Sequence, residues 1–210
     1  MSQINKEEFD HYIKLLVIGD QSVGKSSFIK RFLEDKFSEE PINSKELELK
    51  KKMLEIDNQK IFFHVWDGLI NAKLNKTTNS ELSIRIQGII IMYDISCYTS
   101  FNSLGFYIKE VKEKCGSDMP ILIIANKIDL DDRIISENEG EKFAEDNNVE
   151  YIEISVQNNI NINESIIKIT KKIMTNSYYR GDTVTLNNEK KFSKKKKKKI
   201  LLKINIYKCI

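Results

Sequence analysis

The sequence predicts an α/β domain: a doubly wound, mostly parallel sheet with helices on both faces and one antiparallel hairpin at its edge. Three observations carry this. Short apolar runs bounded by turn residues alternate with stretches of helical periodicity. Two of the runs, GIIIMYDIS (88–96) and MPILIIANKID (119–129), are almost continuously apolar over their length, as strands covered on both faces are. The chain has 210 residues, 40% of them hydrophobic, which suffices for one full-sized core and a tail.

Taken in order, YIKLLVIG (12–19) is a strand interrupted only by Lys14 and closed by Gly19. SSFIKRFLEDKF (26–37) is a helix, because Phe28, Ile29, Phe32 and Leu33 fall on one face. KELELKKKMLEI (45–56) alternates charged and apolar residues over its first part, as an edge strand with one wet face does. Asp57-Asn58 makes a turn, and KIFFHVWD (60–67) returns as a more buried strand, giving the hairpin near 46–66. Between the two central runs, Phe101, Leu104, Ile108 and Val111 keep helical spacing. ISENEGEKFAEDN opens a helix with a Ser136–Glu139 capping box, VEYIEIS is a strand, and Ile162, Ile166, Ile169 and Ile173 mark a last helix.

Composition narrows the class. Eight Gly and two Pro exclude a collagenous or linker-rich chain. Three cysteines, Cys97, Cys115 and Cys209, cannot pair completely and lack metal-ligand spacing, which fits free thiols in a reducing compartment. MSQINKEEF has neither an apolar signal region nor Gly at position 2, and no apolar run is long enough to span a bilayer. Charge is uneven. Residues 189–210 carry ten Lys and one Glu, a net +9, which leaves the other 188 residues at −6 against a total of +3. The expected division is an N-terminal extension (1–9), a domain (10–176) and a polybasic tail (177–210).

The strongest chemical signal is GDQSVGKS, which fits G-x-x-x-x-G-K-[ST] between a predicted strand and a predicted helix, the context the motif requires. By average residue usage such a string arises by accident in roughly one chain in a hundred of this length. Its glycines let the loop curl so that backbone N–H groups face phosphate oxygens at a helix N-terminus. Gly19, Asp20, Gln21, Ser22, Val23, Gly24, Lys25, Ser26 and Ser27 form the candidate cradle. Lys25 is placed to bridge the β and γ phosphates, and the Ser26 hydroxyl to ligate Mg²⁺. NKID ends an apolar strand, where ligands bind in open α/β sheets. An Asp129 carboxylate accepts from both N1–H and the 2-amino group of guanine, and adenine offers neither. Asn126, Lys127 and Asp129 are therefore the candidate base readers.

These motifs in this order resemble the Ras superfamily of small GTPases. LLVIGDQSVGKSSFIKRF, WD, GIIIMYDIS and NKIDL are most similar to the Rab branch, over about residues 10–175. The resemblance implies a six-stranded sheet of P-loop NTPase type with five helices. It also implies a GTP/GDP switch that recruits effectors to membranes in vesicle-mediated transport. Phe37 lies where the family packs an aromatic against the base. Ser44 lies where it uses a Thr to ligate Mg²⁺ and sense the γ phosphate, although the usual T-I-G context reads SKE here. Asp67 matches the aspartate that holds Mg²⁺ through water. EISV matches E-T-S-A, which places Ser155, Val156 and Gln157 at the base, with the Val156 N–H directed at guanine O6. Gln157 stands where Lys is usual.

One segment departs from the pattern. The family reads D-T-A-G-Q-E at the second switch and this chain reads DGLINA, residues 67–72. Ile70 takes the place of a glycine whose N–H meets the γ phosphate, and a β-branched residue is stiff and bulky where backbone must approach a ligand. Asn71 takes the place of the water-positioning glutamine and is shorter by about 1.5 Å of reach. Gly68 sits two positions too early to substitute. Losing one positioned donor lowers rates by ~10²–10³, so the expectation is intact nucleotide binding with slow or absent intrinsic hydrolysis. The competing reading is a pseudo-GTPase that holds nucleotide without cycling. The downstream KLNKTTNSELSIRIQ lacks the Tyr-Tyr-Arg-Gly pattern of Rabs, which predicts an atypical effector surface.

The tail, NNEKKFSKKKKKKILLKINIYKCI, reads as a membrane-surface segment, since each Lys near an anionic leaflet gains about 1 kcal/mol. The resemblance makes Cys209 a candidate for geranylgeranylation. The end is not C-a-a-X, because position 207 is Tyr, and the usual second cysteine is absent. Basic runs also serve as nuclear or nucleic-acid arms, but no aromatic-rich basic face accompanies this one. The expected partners are guanine nucleotide, effector and exchange-factor proteins and a membrane surface, with no nucleic acid. The expected state is a monomer, cytoplasmic and peripheral on the cytosolic face of intracellular membranes.

Overall fold

In a computed structural model, residues 9–35, 37, 50–68 and 86–176 are described, with Lys50 described in its backbone alone. The strands are β1 (His11–Gly19), β2 (Lys50–Ile56), β3 (Gln59–Asp67), β4 (Gly88–Asp94), β5 (Ile121–Asn126) and β6 (Glu150–Glu153). The helices are α1 (Lys25–Glu34), α2 (Tyr98–Asn102), α3 (Leu104–Cys115), α4 (Glu137–Asn147) and α5 (Ile162–Thr175). The strands form one six-stranded sheet in the order β2-β3-β1-β4-β5-β6. Every neighbouring pair is parallel except β2 with β3. The mostly parallel sheet with one antiparallel edge hairpin is thus borne out.

Period 2 sorts the side chains onto two cores. Ile13, Leu15 and Val17 of β1 face α1 and α5, where they meet Phe28, Phe32, Ile166 and Ile169. Leu16 and Ile18 face the other way, with Leu104, Ile108 and Val111 of α3 and Ala144 of α4. β4 and β5 are buried at every position, which is why they read as apolar runs up to their closing Asp94 and Asn126. The expected residues close the elements. Asp57 and Asn58 turn the hairpin at φ 50° and 60°, the left-handed pair that a two-residue hairpin demands. Ser136 and Glu139 cap α4 reciprocally, as predicted. The four isoleucines that marked α5, Ile162, Ile166, Ile169 and Ile173, are all buried, and a fifth, Ile167, is half-buried.

Two boundaries differ from the sequence reading. The first helix stops at Glu34 rather than Phe37, because Asp35 turns left-handed (φ 55°) and returns its N–H to the Arg31 carbonyl. The predicted helix through Phe101 and Val111 is two segments meeting at Ser103, whose N–H is taken by Thr99 O. Residues 45–49 of the predicted edge strand lie outside the described residues.

β1 has β3 on one side and β4 on the other, so the chain order reverses around it. At such a point the loops leaving adjacent carboxyl ends part and open a crevice. Gly19, Asp67, Asp94 and Asn126 end β1, β3, β4 and β5 along that edge.

Candidate functional site

The loop from Gly19 to Lys25 curls because three of its residues have positive φ: Gly19 at 141°, Ser22 at 66° and Gly24 at 100°. Glycine is required twice for lack of space. A Cβ on Gly19 would lie 2.3 Å from Met92 O, and one on Gly24 would lie 2.3 Å from the Asn126 amide nitrogen. Ser22 adopts the left-handed conformation without being glycine, at about 1–2 kcal/mol. Gln21 and Ser22 are exposed, Val23 is buried, and Ser27 is half-buried on the first turn of α1.

Lys25 folds back over the loop and donates to Gly19 O at 3.0 Å and Asp20 O at 2.5 Å. Burial lowers its pKa, and the Asp67 and Asp20 carboxylates act the other way. An ammonium held against backbone carbonyls beside the open N-terminus of α1 is a fixed positive charge suited to phosphate oxygens. The Ser26 hydroxyl donates to Asp67 Oδ2, which joins the end of β3 to the start of α1. These are hard oxygen donors of the kind Mg²⁺ takes. No group of three or more His, Cys, Asp or Glu converges among the described residues. Mg²⁺ bound at Ser26 and Asp67 would therefore complete its shell with phosphate oxygens and water, as that ion commonly does. The residues present fit the ion.

The second loop is tied to the first. Asn126, 2% exposed, donates to Val23 O at 2.9 Å and accepts the Val156 N–H at 3.2 Å. Asp129 accepts the Ser155 hydroxyl at 2.5 Å, and Ser155 is fully buried. Lys127 sits at φ 72° with its ammonium 2.5 Å from Asp94. Non-glycine residues in left-handed backbone thus mark both loops, as strain gathers where surrounding structure over-determines a site.

The structure thus brings together Lys25, Ser26, Asp67, Asn126, Asp129, Ser155 and Val156 at one end of the sheet. Phe37 reaches the same region over the Arg31 guanidinium, 5.4 Å from its ring centre, and Gln157 is exposed at the far side of the loop. Ser44, Ile70, Asn71 and Cys209 lie outside the described residues, as does the tail beyond Asn176. Sequence reasoning missed three supports. Asp94 pairs with Lys127. Ser103 and Tyr107 hold Asp20 at 2.8 and 2.7 Å. Arg31 donates to Val156 O and Gln157 O, each at 3.0 Å. No spacing announces any of them, since each contact joins segments far apart in the chain.

Comparison with known proteins agrees with this arrangement. The Ras family pattern, described as "Ras family", matches residues 14–175. Ras-related protein Rab-8B of Bos taurus is 32% identical over 168 residues, 80% of this chain and 81% of the relative. Ras-related protein SEC4 of Saccharomyces cerevisiae is 30% identical over 169 residues, 80% of this chain and 78% of its own. Ras-related protein Rab-11B of Dictyostelium discoideum is 33% identical over 181 residues, 86% of this chain and 81% of its own.

Proposed function

The chain belongs to the Ras family as a Rab-like small GTPase, and from that premise we propose that it binds GTP and GDP with Mg²⁺ and serves as a membrane-associated switch in vesicle-mediated transport, with intrinsic hydrolysis that is slow. The observation that carries the reading is the meeting of two motifs. Asn126, from the base-reading loop, is hydrogen-bonded into the phosphate loop at Val23, so one rigid unit spans phosphate and base.

In this reading the backbone N–H groups from Gly19 to Ser27 and the Lys25 ammonium receive the phosphates. Ser26, Asp67 and Ser44 hold Mg²⁺, which when bound offsets phosphate charge. Asp129 accepts the guanine N1–H and 2-amino group, Val156 offers its N–H to O6, and Phe37 and Gln157 flank the base. Asn71 stands in the place of the residue that orients the attacking water. With one methylene less than glutamine it reaches that water poorly, and Ile70 crowds the backbone that would meet the γ phosphate. Gly68 does not supply the missing N–H, because its own N–H is directed to Val17 O at 3.4 Å and continues the β1–β3 pairing. That contact supports the slow-hydrolysis reading and favours its alternative too, a module that holds guanine nucleotide without cycling.

The division into extension, domain and tail belongs to the same reading. No helix among the described residues is long and apolar enough to cross a membrane. Membrane attachment is assigned to the polybasic tail with a prenyl group on Cys209, and effectors and exchange factors to the surface around the site of a monomer. The test is single-turnover hydrolysis by protein preloaded with GTP, beside an Ile70→Gly, Asn71→Gln double variant. Wild type that stays GTP-loaded while the variant hydrolyses supports the reading. Wild type that hydrolyses as fast as the variant refutes the attenuation, and wild type that retains no guanine nucleotide refutes the function.

A further inference from the structure

We propose that Arg31 is a positioning residue for guanine recognition, acting from α1 through the backbone of residues 156–158 on the Asp129 carboxylate. The inference rests on the reading of this site as a guanine-nucleotide site.

The geometry is a chain of directed hydrogen bonds. Arg31 presents two donors of its planar guanidinium to two successive carbonyls, Nε to Val156 O and Nη2 to Gln157 O, both at 3.0 Å. No peptide bond among the described residues is cis. In a trans unit the C=O and the following N–H point in opposite directions. Holding the Gln157 carbonyl toward Arg31 therefore turns the Asn158 N–H inward, where it donates to Ser155 Oγ at 2.9 Å. The Ser155 hydroxyl, with its oxygen so engaged, donates onward to Asp129 Oδ1 at 2.5 Å. Holding the Val156 carbonyl outward fixes the Gln157 N–H in the same way. The loop is closed at its base by the reciprocal pair between Ser155 and Ile160, at 3.2 and 2.9 Å. Its remaining freedom is a tilt of these peptide planes, and Arg31 restrains that tilt.

The same guanidinium lies 5.4 Å from the centre of the Phe37 ring and donates to Asp35 O at 3.5 Å. Arg31 thus ties the exit of α1, the aromatic beside the base and the base loop into one body. The planar fork is the necessary feature. A lysine ammonium can reach two successive carbonyls, as Lys25 does, but its donors radiate from one freely rotating nitrogen and do not fix the tilt of two peptide planes as a rigid guanidinium fork does.

The discriminating probe is inosine 5′-diphosphate, which keeps N1–H and O6 but lacks the 2-amino group that Asp129 would accept. Affinities for GDP and inosine diphosphate are measured on the full chain, for wild type, Arg31→Met, Arg31→Lys and Ser155→Ala, with thermal midpoints recorded alongside. Wild type is expected to prefer GDP. Arg31→Met is expected to reduce that preference by roughly tenfold, the scale of coupling within a hydrogen-bonded network. Ser155→Ala should reduce it comparably, and the double variant should lose little more than either single one. Arg31→Lys should fall at or near Arg31→Met. A merely structural Arg31 would weaken both nucleotides equally and leave the ratio unmoved, and that outcome overturns the inference while the guanine site stands. A wild-type ratio in Arg31→Lys, or additive losses in the double variant, also overturns it. If Arg31→Met does not fold, the Arg31→Lys and Ser155→Ala ratios decide by the same criteria. Wild type that binds neither nucleotide, or both equally, overturns the reading of the site and the inference together.

Discussion

Tyr107 on α3 donates its hydroxyl to one carboxylate oxygen of Asp20 at 2.7 Å, while Ser103 donates to the other at 2.8 Å. The second residue of the phosphate loop is therefore held by a helix on the opposite side of β1 from α1. Burial and the neighbouring Asp20 charge both push the Tyr107 hydroxyl pKa up, so it remains a donor throughout the working pH range. Tyr107→Phe removes one donor and leaves the aromatic packing. Hydrogen bonds to charged groups contribute about 1.5–3 kcal/mol, and partial exposure puts this one near the lower bound. We expect a loss of about 1.5 kcal/mol, read as a lower urea midpoint with an unchanged slope. An unchanged midpoint would mean that water replaces the phenol at no loss.

Gly140 in the middle of α4 conflicts with helix propensity, which favours alanine there by about 1 kcal/mol. Packing explains the glycine. A Cβ at 140 would lie 2.4 Å from the Tyr151 hydroxyl oxygen and 2.6 Å from the ring carbon that bears it. The ring cannot easily give way, because its hydroxyl is bonded to Glu153 at 3.0 Å and to Tyr93 at 3.2 Å. Forcing extra volume into a packed site costs about 1–3 kcal/mol, so overpacking wins over propensity. Gly140→Ala should lower the thermal midpoint by several degrees, and adding Tyr151→Val should recover part of the loss. A raised midpoint in the single variant would show that the Tyr151 ring moves freely.

The fold was legible because its signals are local. Ser136 and Glu139 cap a helix three residues apart, Asp57-Asn58 turns a hairpin, and β4 and β5 are apolar up to their closing Asp94 and Asn126 since helices cover both their faces. GDQSVGKS and NKID were legible because phosphate and guanine impose fixed local backbone. What escaped the sequence is contact over distance. Arg31 meets residues 156 and 157, and Tyr107 meets Asp20, through tertiary placement that no spacing encodes. Lys14 misled differently. It read as a polar interruption of β1, yet it is 2% exposed, with its ammonium 5.5 Å from the Tyr12 ring centre and 5.8 Å from that of Trp66. A lysine can be buried this way because aromatic faces attract its charge.

That charge shapes the acid limb of stability through His64. The imidazole, 9% exposed on β3, is hydrogen-bonded through Nδ1 to the Tyr12 hydroxyl. Its Nε2 has no hydrogen-bond partner among the described residues. Burial, then the positive charges of Lys51 and Lys14, lowers its pKa from 6.5 to about 4. Above pH 6.5 the ring is neutral in both folded and unfolded chains and contributes no pH dependence. Between 6.5 and 4 the unfolded chain takes up a proton that the folded chain refuses, so stability falls as pH falls. The loss approaches on the order of 3 kcal/mol at the acid end of that window. Lys14 does not confuse the measurement. Burial lowers its pKa to about 8, so it is charged in both states below that value, and its own contribution rises only between about pH 8 and 10.5. His64→Phe keeps the ring contacts with Tyr12 and Phe62 and removes the titration. The difference in unfolding free energy between wild type and variant, measured by urea at half-unit steps from pH 7 to 4, should therefore tilt against wild type as acid is added. In a Lys14→Met background the tilt should shrink, because one of the charges that holds the His64 pKa down is gone. A flat difference curve would show that His64 protonates in the folded protein as freely as in the unfolded chain.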